Sequence, residues 1–172
     1  IVTLVPFKMS LISKLMTMPK NYRFYLGDFE LSESNLNNII ITQLSTFDVD
    51  GGRVMHGIKI NDLGYVGLGE VYFSYIDPKA VKAWKKHNRM TLNLVVHLGK
   101  VRFVFCDPLN DGRYRVEDIG EGNYVRLTVP PGIWFGFQGI AKNPSLVTNI
   151  ADLKHDVNEV TKTTPTTGLI AQ

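Results

Sequence analysis

The residues most able to do chemistry lie in the stretch VKAWKKH, residues 81–87, which leads into the apolar segment LNLVVHLG. Lys85 and His87 are two positions apart, so on a β-strand they share a face. Removing a proton beside a ketone needs a base poised near neutral pH, and His87 meets this condition unperturbed. Lys85 would act as a base only if burial and neighbouring cations lowered its pKa by several units. Its other role is a point charge that steadies an enolate or a phosphate.

These residues also have a structural interpretation. The lysines at 82, 85 and 86 can form a solvated strand edge, and His87 can be a hydrogen-bonded structural residue. Tyr72 and Tyr75 lie on opposite faces of EVYFSYI. A phenol that points inward could serve as an acid, or it could be a core tyrosine with a satisfied hydroxyl.

Three further candidates are polar or aromatic residues near this stretch. Asn93 interrupts the otherwise apolar TLNLVV, and a buried amide needs partners, so it is either a ligand contact or a structural bracket. Trp84 and Trp134 can stack on a nucleotide base or pack into a core.

The composition excludes several classes of protein. The chain of 172 residues carries a net charge of +3, which is too small to argue for nucleic acid. Its single cysteine, Cys106, cannot form an intrachain disulfide. The apolar N-terminal stretch is interrupted by Pro6, Lys8 and Lys14 and is too short to span a bilayer. We therefore expect a soluble, cytoplasmic protein without nucleic-acid or membrane partners.

Short β-branched and aromatic segments alternate with turns rich in Gly, Pro, Asn and Asp, which is typical of an all-β sandwich or barrel. We expect an N-terminal extension over residues 1–37, with one edge strand at Arg23–Leu26, a β domain over residues 38–156 and a C-terminal tail over residues 157–172. The segment DLKHDVNEV is the one place where a short helix is expected.

The segments GEVYFSYIDPKAVKAWKKH, LGKVRFVFCD and YVRLTVPPGIWFGF, in this order, resemble the cupin jelly roll, a double-stranded β-helix. More specifically, the chain from Thr42 to Glu159 resembles the dTDP-4-dehydrorhamnose 3,5-epimerases and the sugar-nucleotide 3,4-ketoisomerases. The resemblance implies an anionic nucleotide sugar as ligand, a reacting 4-keto group, a homodimer and no cofactor. It also implies a histidine base and a tyrosine acid.

The chain departs from the pattern of these families at several positions. The resemblance places Lys85 at the catalytic histidine of the epimerases, and at the first histidine of the ketoisomerase pair, whose second histidine is His87. The tyrosine of the ketoisomerase strand is kept as Tyr72, whereas the epimerase tyrosine would fall near Thr148. Metal-binding cupins have a histidine where Phe135 stands, so the resemblance implies no metal.

The leading hypothesis is therefore an epimerase or ketoisomerase of deoxysugar or surface-polysaccharide synthesis. In it His87 is the acid–base residue, Lys85 the electrophilic or phosphate partner and Tyr72 the proton donor. The expected substrate contacts are Lys82, Trp84, Asn93, Arg102 and Trp134, with Lys82 and Arg102 assigned to phosphate. The alternative is a catalytically lapsed cupin that binds a sugar nucleotide or glycan without turnover, and a third reading is a purely structural jelly roll.

Overall fold

A computed structural model of the chain describes residues 35–107 and 113–163. In these ranges the chain is built from twelve strands, preceded by a single turn of 3₁₀ helix at Asn35–Asn38. The strands are β1 (Ile40–Gln43), β2 (Thr46–Val49), β3 (Gly52–Met55), β4 (Glu70–Ile76), β5 (Val81–His87), β6 (Leu92–Leu98), β7 (Lys100–Asp107), β8 (Arg113–Gly120), β9 (Val125–Val129), β10 (Trp134–Gly139), β11 (Ser145–Ala151) and β12 (Val160–Lys162). None of the described residues forms a helix that would reach across a lipid bilayer.

Ten of these strands form two antiparallel five-stranded sheets. The first sheet has the order β1-β9-β6-β11-β4, and the second has the order β12-β5-β10-β7-β8. β2 and β3 pair with each other as a separate hairpin, whose turn lies at the predicted DVDGG segment. The all-β fold of the cupin jelly-roll type that the sequence predicts is confirmed.

The core lies between the inner faces of the two sheets. Alternate residues of each strand point into it, as the two-residue period of a strand requires. Leu92, Leu94 and Val96 of β6 face Phe103 and Phe105 of β7 across this space, and all five side chains are buried. Aromatic rings from β7 and β10 therefore form the floor on which the inward-facing side chains of β5 lie.

Gly136 brings β5 and β10 unusually close. A Cβ atom added at this position would lie 2.5 Å from the Cβ of Ala83, so a larger residue would push the two strands apart. The register shifts at the same point, because Phe135 pairs with Lys85 while Phe137 pairs with Lys82. The extra residue in β5 is a bulge, a feature that re-aims the side chains next to it.

A buried arginine closes the outer face of the first sheet. Arg126 is 0% exposed, and it lies between Val125 and Leu127, whose side chains face the core. Its guanidinium donates to the carboxylate of Asp62 at 2.8 Å and to the carbonyl of Leu63 at 2.9 Å. Burying an arginine is tolerated only when its charge and its N–H groups are paired, so these contacts fasten the loop after β3 to the barrel.

The structure differs from two expectations about the C-terminal part. Residues 152–159 form no helix, and the next three residues add β12 to the edge of β5. The boundary expected at residue 157 therefore falls inside packed structure, since Glu159 is buried and β12 completes a sheet. At the other end, Leu36 and Ile39 belong to the core. The edge strand expected at Arg23–Leu26 lies outside the described residues.

Candidate active site

The candidate site lies on the inner face of the second sheet, at the neighbouring strands β5 and β10. The ring of His87 stacks on Phe135, with 6.2 Å between centroids. The Nζ of Lys85 lies 5.0 Å from the same ring and 5.5 Å from that of Phe137. Both phenylalanines belong to the core cluster, so Lys85 and His87 share the inner face of β5, as their spacing predicts.

A buried carboxylate holds His87. Oε2 of Glu159 lies 2.6 Å from Nδ1 of His87, and the glutamate side chain is fully buried. The other carboxylate oxygen, Oε1, accepts hydrogen bonds from the backbone N–H groups of Arg89 at 2.7 Å and Met90 at 2.8 Å. Burial alone would raise the pKa of Glu159, but these three hydrogen bonds outweigh burial and lower it.

The ionised carboxylate fixes the tautomer of the histidine. Because a carboxylate only accepts hydrogen bonds, Nδ1 of His87 must carry the proton, and the lone pair is left on Nε2. Nε2 is buried and has no hydrogen-bond partner among the described residues. Burial lowers the pKa of His87, and the positive charge of Lys85 adds to this, while Glu159 opposes it. At neutral pH the ring is therefore a neutral base with one free nitrogen.

Lys85 lies next to this base in an environment that disfavours its charge. Burial against the two phenylalanine rings lowers its pKa to about 8, and the cations Lys82 and Lys162 contribute to the shift. Among the described residues no carboxylate forms an ion pair with Lys85. A substantial fraction of the amine is thus uncharged just above neutral pH.

Tyr72 approaches the site from the opposite sheet. It shares the inner face of β4 with Ile76, which is buried in the core, whereas Tyr75 on the other face is 69% exposed. Burial raises the pKa of Tyr72, and Glu159 is near enough to raise it further, while a polar contact with Asn149 on β11 opposes the rise. The phenol is therefore protonated at neutral pH and is able to donate a proton.

The structure places three other predicted substrate contacts, Lys82, Trp134 and Trp84, in different environments. Lys82 is exposed and is near enough to Lys85 to lower its pKa. Trp134 lies on the face of β10 opposite Phe135, and the Nζ of Lys86 is 5.4 Å from its ring. Trp84 is buried but does not belong to the core cluster.

Asn93 and Arg102 are occupied by contacts within the protein. The amide of Asn93 donates to the carbonyl of Gly64 at 3.2 Å and accepts from the hydroxyl of Thr128 at 2.6 Å. This arrangement favours the structural bracket over a ligand contact. The guanidinium of Arg102 forms a bidentate ion pair with Asp118, at 2.7 and 3.0 Å. It alternates with the core residues Val101 and Phe103, so it points away from the barrel interior.

Sequence reasoning missed Glu159 as a functional residue. The glutamate lies 72 positions after His87 and within a segment for which a short helix is expected. A contact between residues so far apart leaves no local pattern. The only available signal was the end of the family resemblance, which reaches this residue.

Two other features of the described part of the chain bear on ligands. No group of three histidine, cysteine or acidic side chains within residues 35–107 and 113–163 is arranged to hold a metal ion. A cavity of about 270 Å³ lies beside the β2–β3 hairpin and is lined in part by His97 and Tyr124. No predicted site residue lines this cavity.

Comparison with known proteins places the fold among solved structures. No protein-family model matches the chain, and no curated protein has a significant sequence match to it. Among solved structures, this chain is similar to a dTDP sugar isomerase from Desulfovibrio desulfuricans G20. The alignment covers 81% of this chain and 92% of the isomerase, with 29% sequence identity and a TM-score of 0.73.

Two more distant structures share the fold. A sugar 3,4-ketoisomerase from Thermoanaerobacterium thermosaccharolyticum, in complex with TDP, matches 74% of this chain and 90% of its own, with 15% identity and a TM-score of 0.63. A dTDP-4-dehydrorhamnose 3,5-epimerase from Bacillus anthracis str. Ames, with TDP and PPi bound, matches 77% and 82%, with 17% identity and a TM-score of 0.63. The structural resemblance to dTDP-sugar isomerases, ketoisomerases and epimerases that the sequence predicts is confirmed.

Proposed function

We propose that this protein is an enzyme that isomerises or epimerises a nucleotide sugar of the dTDP-4-keto-6-deoxyhexose type. The reaction begins with removal of the proton on a carbon next to the 4-keto group. The enzyme would serve deoxysugar or surface-polysaccharide synthesis. The observation that carries the proposal is the His87–Glu159 pair, which leaves an unprotonated Nε2 buried in the barrel. The similarity to a dTDP sugar isomerase at 29% identity supports the choice of substrate class.

The chemistry follows from the protonation states of three side chains. Nε2 of His87 takes the proton from carbon, and Glu159 stabilises the imidazolium that forms. Tyr72 gives a proton to the opposite face of the resulting enolate or to a neighbouring carbon. Lys85 acts on the carbonyl as an electrophile, which makes the adjacent C–H bond more acidic.

The charge near the site fits an anionic nucleotide. Lys82 and Lys162 both lie near Lys85, and both are exposed, so they can meet a diphosphate at the edge of β5 and β12. In the proposal Lys82 keeps its predicted role as a phosphate contact, and Lys162 joins it. Exposed lysines contribute to such binding as point charges that salt weakens.

The test is exchange of substrate protons in deuterated water. The protein is incubated with dTDP-4-keto-6-deoxyglucose, and deuterium uptake at the carbons beside the ketone is followed by NMR. The wild-type protein and the control His56→Ala should exchange, while His87→Ala should bind and not exchange. If the ligand raises the melting temperature of the wild-type protein but no proton exchanges, the lapsed binding protein replaces the enzyme. If neither occurs, only the fold is shared.

A homodimer remains part of the proposal. Val71, Phe73 and Tyr75 lie on one face of the edge strand β4 and are 45, 64 and 69% exposed. An edge strand with an exposed apolar face is a surface that a second copy can cover, since the same face on that copy is equally apolar. Sedimentation of the wild-type protein and of Phe73→Lys tests this, and a wild-type monomer at micromolar concentration would refute it. The cytoplasmic location also stays a prediction.

A further inference from the structure

We propose that Lys85 forms a covalent imine with the keto group of the sugar, so that proton removal passes through an enamine instead of a free enolate. This inference deepens the proposed function and rests on it for the identity of the carbonyl compound. It concerns the residue at which the chain departs most from the families it resembles.

The placement of Lys85 meets the requirements of an imine-forming lysine. Its Nζ lies over Phe135 at 5.0 Å and Phe137 at 5.5 Å, inside a barrel and not on a solvated edge. Lysines become nucleophilic when an apolar pocket or a neighbouring cation destabilises the ammonium form. Both conditions are met, because Lys85 is buried with its Nζ beside two apolar rings, and the cations Lys82 and Lys162 are near enough to lower its pKa.

Its neighbours are also arranged for this chemistry. An ammonium that is ion-paired stays protonated, but the six ion pairs formed by the described residues do not include Lys85. His87 is two positions away on the same face of β5, and the two side chains are close enough for the charge of Lys85 to lower the pKa of the histidine. A carbonyl carbon bonded to Nζ would therefore hold its adjacent C–H groups near Nε2 of His87.

The steps balance without an oxidant or reductant. The lone pair of the neutral amine attacks the keto carbon, the carbonyl oxygen takes up protons and leaves as water, and a protonated imine remains. Nε2 of His87 then removes the proton from the adjacent carbon. The electrons of that C–H bond form a C=C bond, and the C=N electrons return to nitrogen. Reprotonation of the same adjacent carbon on its opposite face regenerates a protonated imine, and addition of water to that imine releases the epimerised ketone and the free amine. Protonation of the nitrogen-bearing carbon would leave the sugar bound as an amine, so the imine route serves epimerisation.

The experiment combines chemical trapping with proton exchange. The protein is incubated with dTDP-4-keto-6-deoxyglucose and sodium cyanoborohydride, digested and analysed by mass spectrometry. A reduced imine adds the mass of the sugar nucleotide less one oxygen atom to the peptide that contains Lys85. Two variants are compared with the wild type. Lys85→Arg keeps the positive charge but removes the nucleophile. Lys86→Arg is the matched control, because the adjacent Lys86 lies against Trp134 on the outer side of the sheet.

The imine predicts the adduct in the wild-type protein and in Lys86→Arg and its loss in Lys85→Arg. It also predicts that deuterium exchange falls at least ~100-fold in Lys85→Arg, the scale on which loss of a catalytic group acts. Exchange by the wild-type protein without an adduct, or exchange by Lys85→Arg within about tenfold of wild type, would overturn the imine and leave the proposed function standing. An adduct spread equally over surface lysines would also overturn it.

The dependence on pH supplies a second and independent test. An imine requires the neutral amine, so exchange should increase as the pH rises through about 8, the pKa to which burial lowers Lys85. If Lys85 acts only as a charge, exchange should decrease over the same range. A specific adduct without any exchange would support the imine and refute the isomerase, so the two proposals fail separately. Melting temperature and dTDP binding establish that each variant is folded, and Lys85→Met replaces Lys85→Arg if it is not.

Discussion

The His87–Glu159 pair leads to a sharp prediction for the substitution Glu159→Gln. In the variant, the side-chain carbonyl must still accept from the N–H groups of Arg89 and Met90, which lie 2.7 and 2.8 Å from Oε1. The NH₂ group is then forced into the position that lies 2.6 Å from Nδ1 of His87. Because an amide NH₂ only donates, Nδ1 must become the acceptor, and the ring proton moves to Nε2. The variant thus holds the base in the wrong tautomer.

The size of the effect follows from this exchange of tautomers. The same carboxylate-to-amide replacement behind the histidine of serine proteases lowers kcat by about 10⁴, which corresponds to about 5.5 kcal/mol of barrier. The loss of stability should be far smaller, about 1–3 kcal/mol, since the two backbone N–H groups keep an acceptor and one charge-assisted hydrogen bond is exchanged for a neutral one.

The assay is deuterium exchange into dTDP-4-keto-6-deoxyglucose, with Glu121→Gln as a control on an exposed glutamate. The ¹⁵N shifts of His87 report the tautomer directly, with Nδ1 protonated in the wild-type protein and Nε2 protonated in Glu159→Gln. A variant that exchanges substrate protons within tenfold of the wild-type rate would refute the assignment of His87 as the base. So would a wild-type protein whose histidine carries its proton on Nε2.

Three further predictions use other contacts of the structure. Tyr72→Phe should lower the turnover rate of isomerisation by about 10²-fold with little change in KM, because a buried proton donor is lost. Steady-state kinetics would show a change in KM alone if the phenol only binds substrate. Arg126→Leu should destabilise the protein by about 1–3 kcal/mol in urea unfolding, because the carbonyls of Gly57 and Leu63 lose a donor while the partly exposed Asp62 can be solvated. A loss below about 1 kcal/mol would mean that the loop is held by other contacts. The free energy of unfolding should decrease as the pH falls below about 6.5, since the pKa of His87 is lowered in the folded state and the unfolded chain binds more protons. The pKa values of Asp62 and Glu159 are also lowered, which adds a second decrease as the pH falls further; a flat profile from pH 7 to 4 would contradict both assignments.

The sequence was informative where the local pattern is strong. The two-residue alternation of EVYFSYI separates Tyr72 from Tyr75, and the same period places Lys85 and His87 on one face, as the structure has them. Turn residues at DVDGG predict the hairpin, because glycine accommodates the positive φ of 76° at Gly51. These features depend on neighbours within a few residues.

Contacts between residues that are distant in sequence could not be predicted from the sequence. Glu159 was hidden in DLKHDVNEV, where apolar residues at positions 153, 157 and 160 have the spacing of a helix. The structure has bends and a turn over residues 152–159 instead, and the chain becomes extended only at β12, which pairs with the edge of β5. The roles of Asn93 and Arg102 could not be decided from the sequence for the same reason, since their partners Thr128 and Asp118 are distant in sequence.

Because β12 lies at a sheet edge, we expect the proposed activity to be lost under milder conditions than those that unfold the two sheets. This strand has three residues and, in the part of the chain that the structure describes, lies at the edge of its sheet and pairs with β5 alone. Short edge strands open locally at a fraction of the global free energy, which amide hydrogen exchange measures. When β12 detaches, Glu159 is no longer held against His87, and the base loses its orienting partner while both sheets persist. Mild denaturant should therefore abolish turnover at concentrations where the near-UV circular dichroism of the core aromatics is still native.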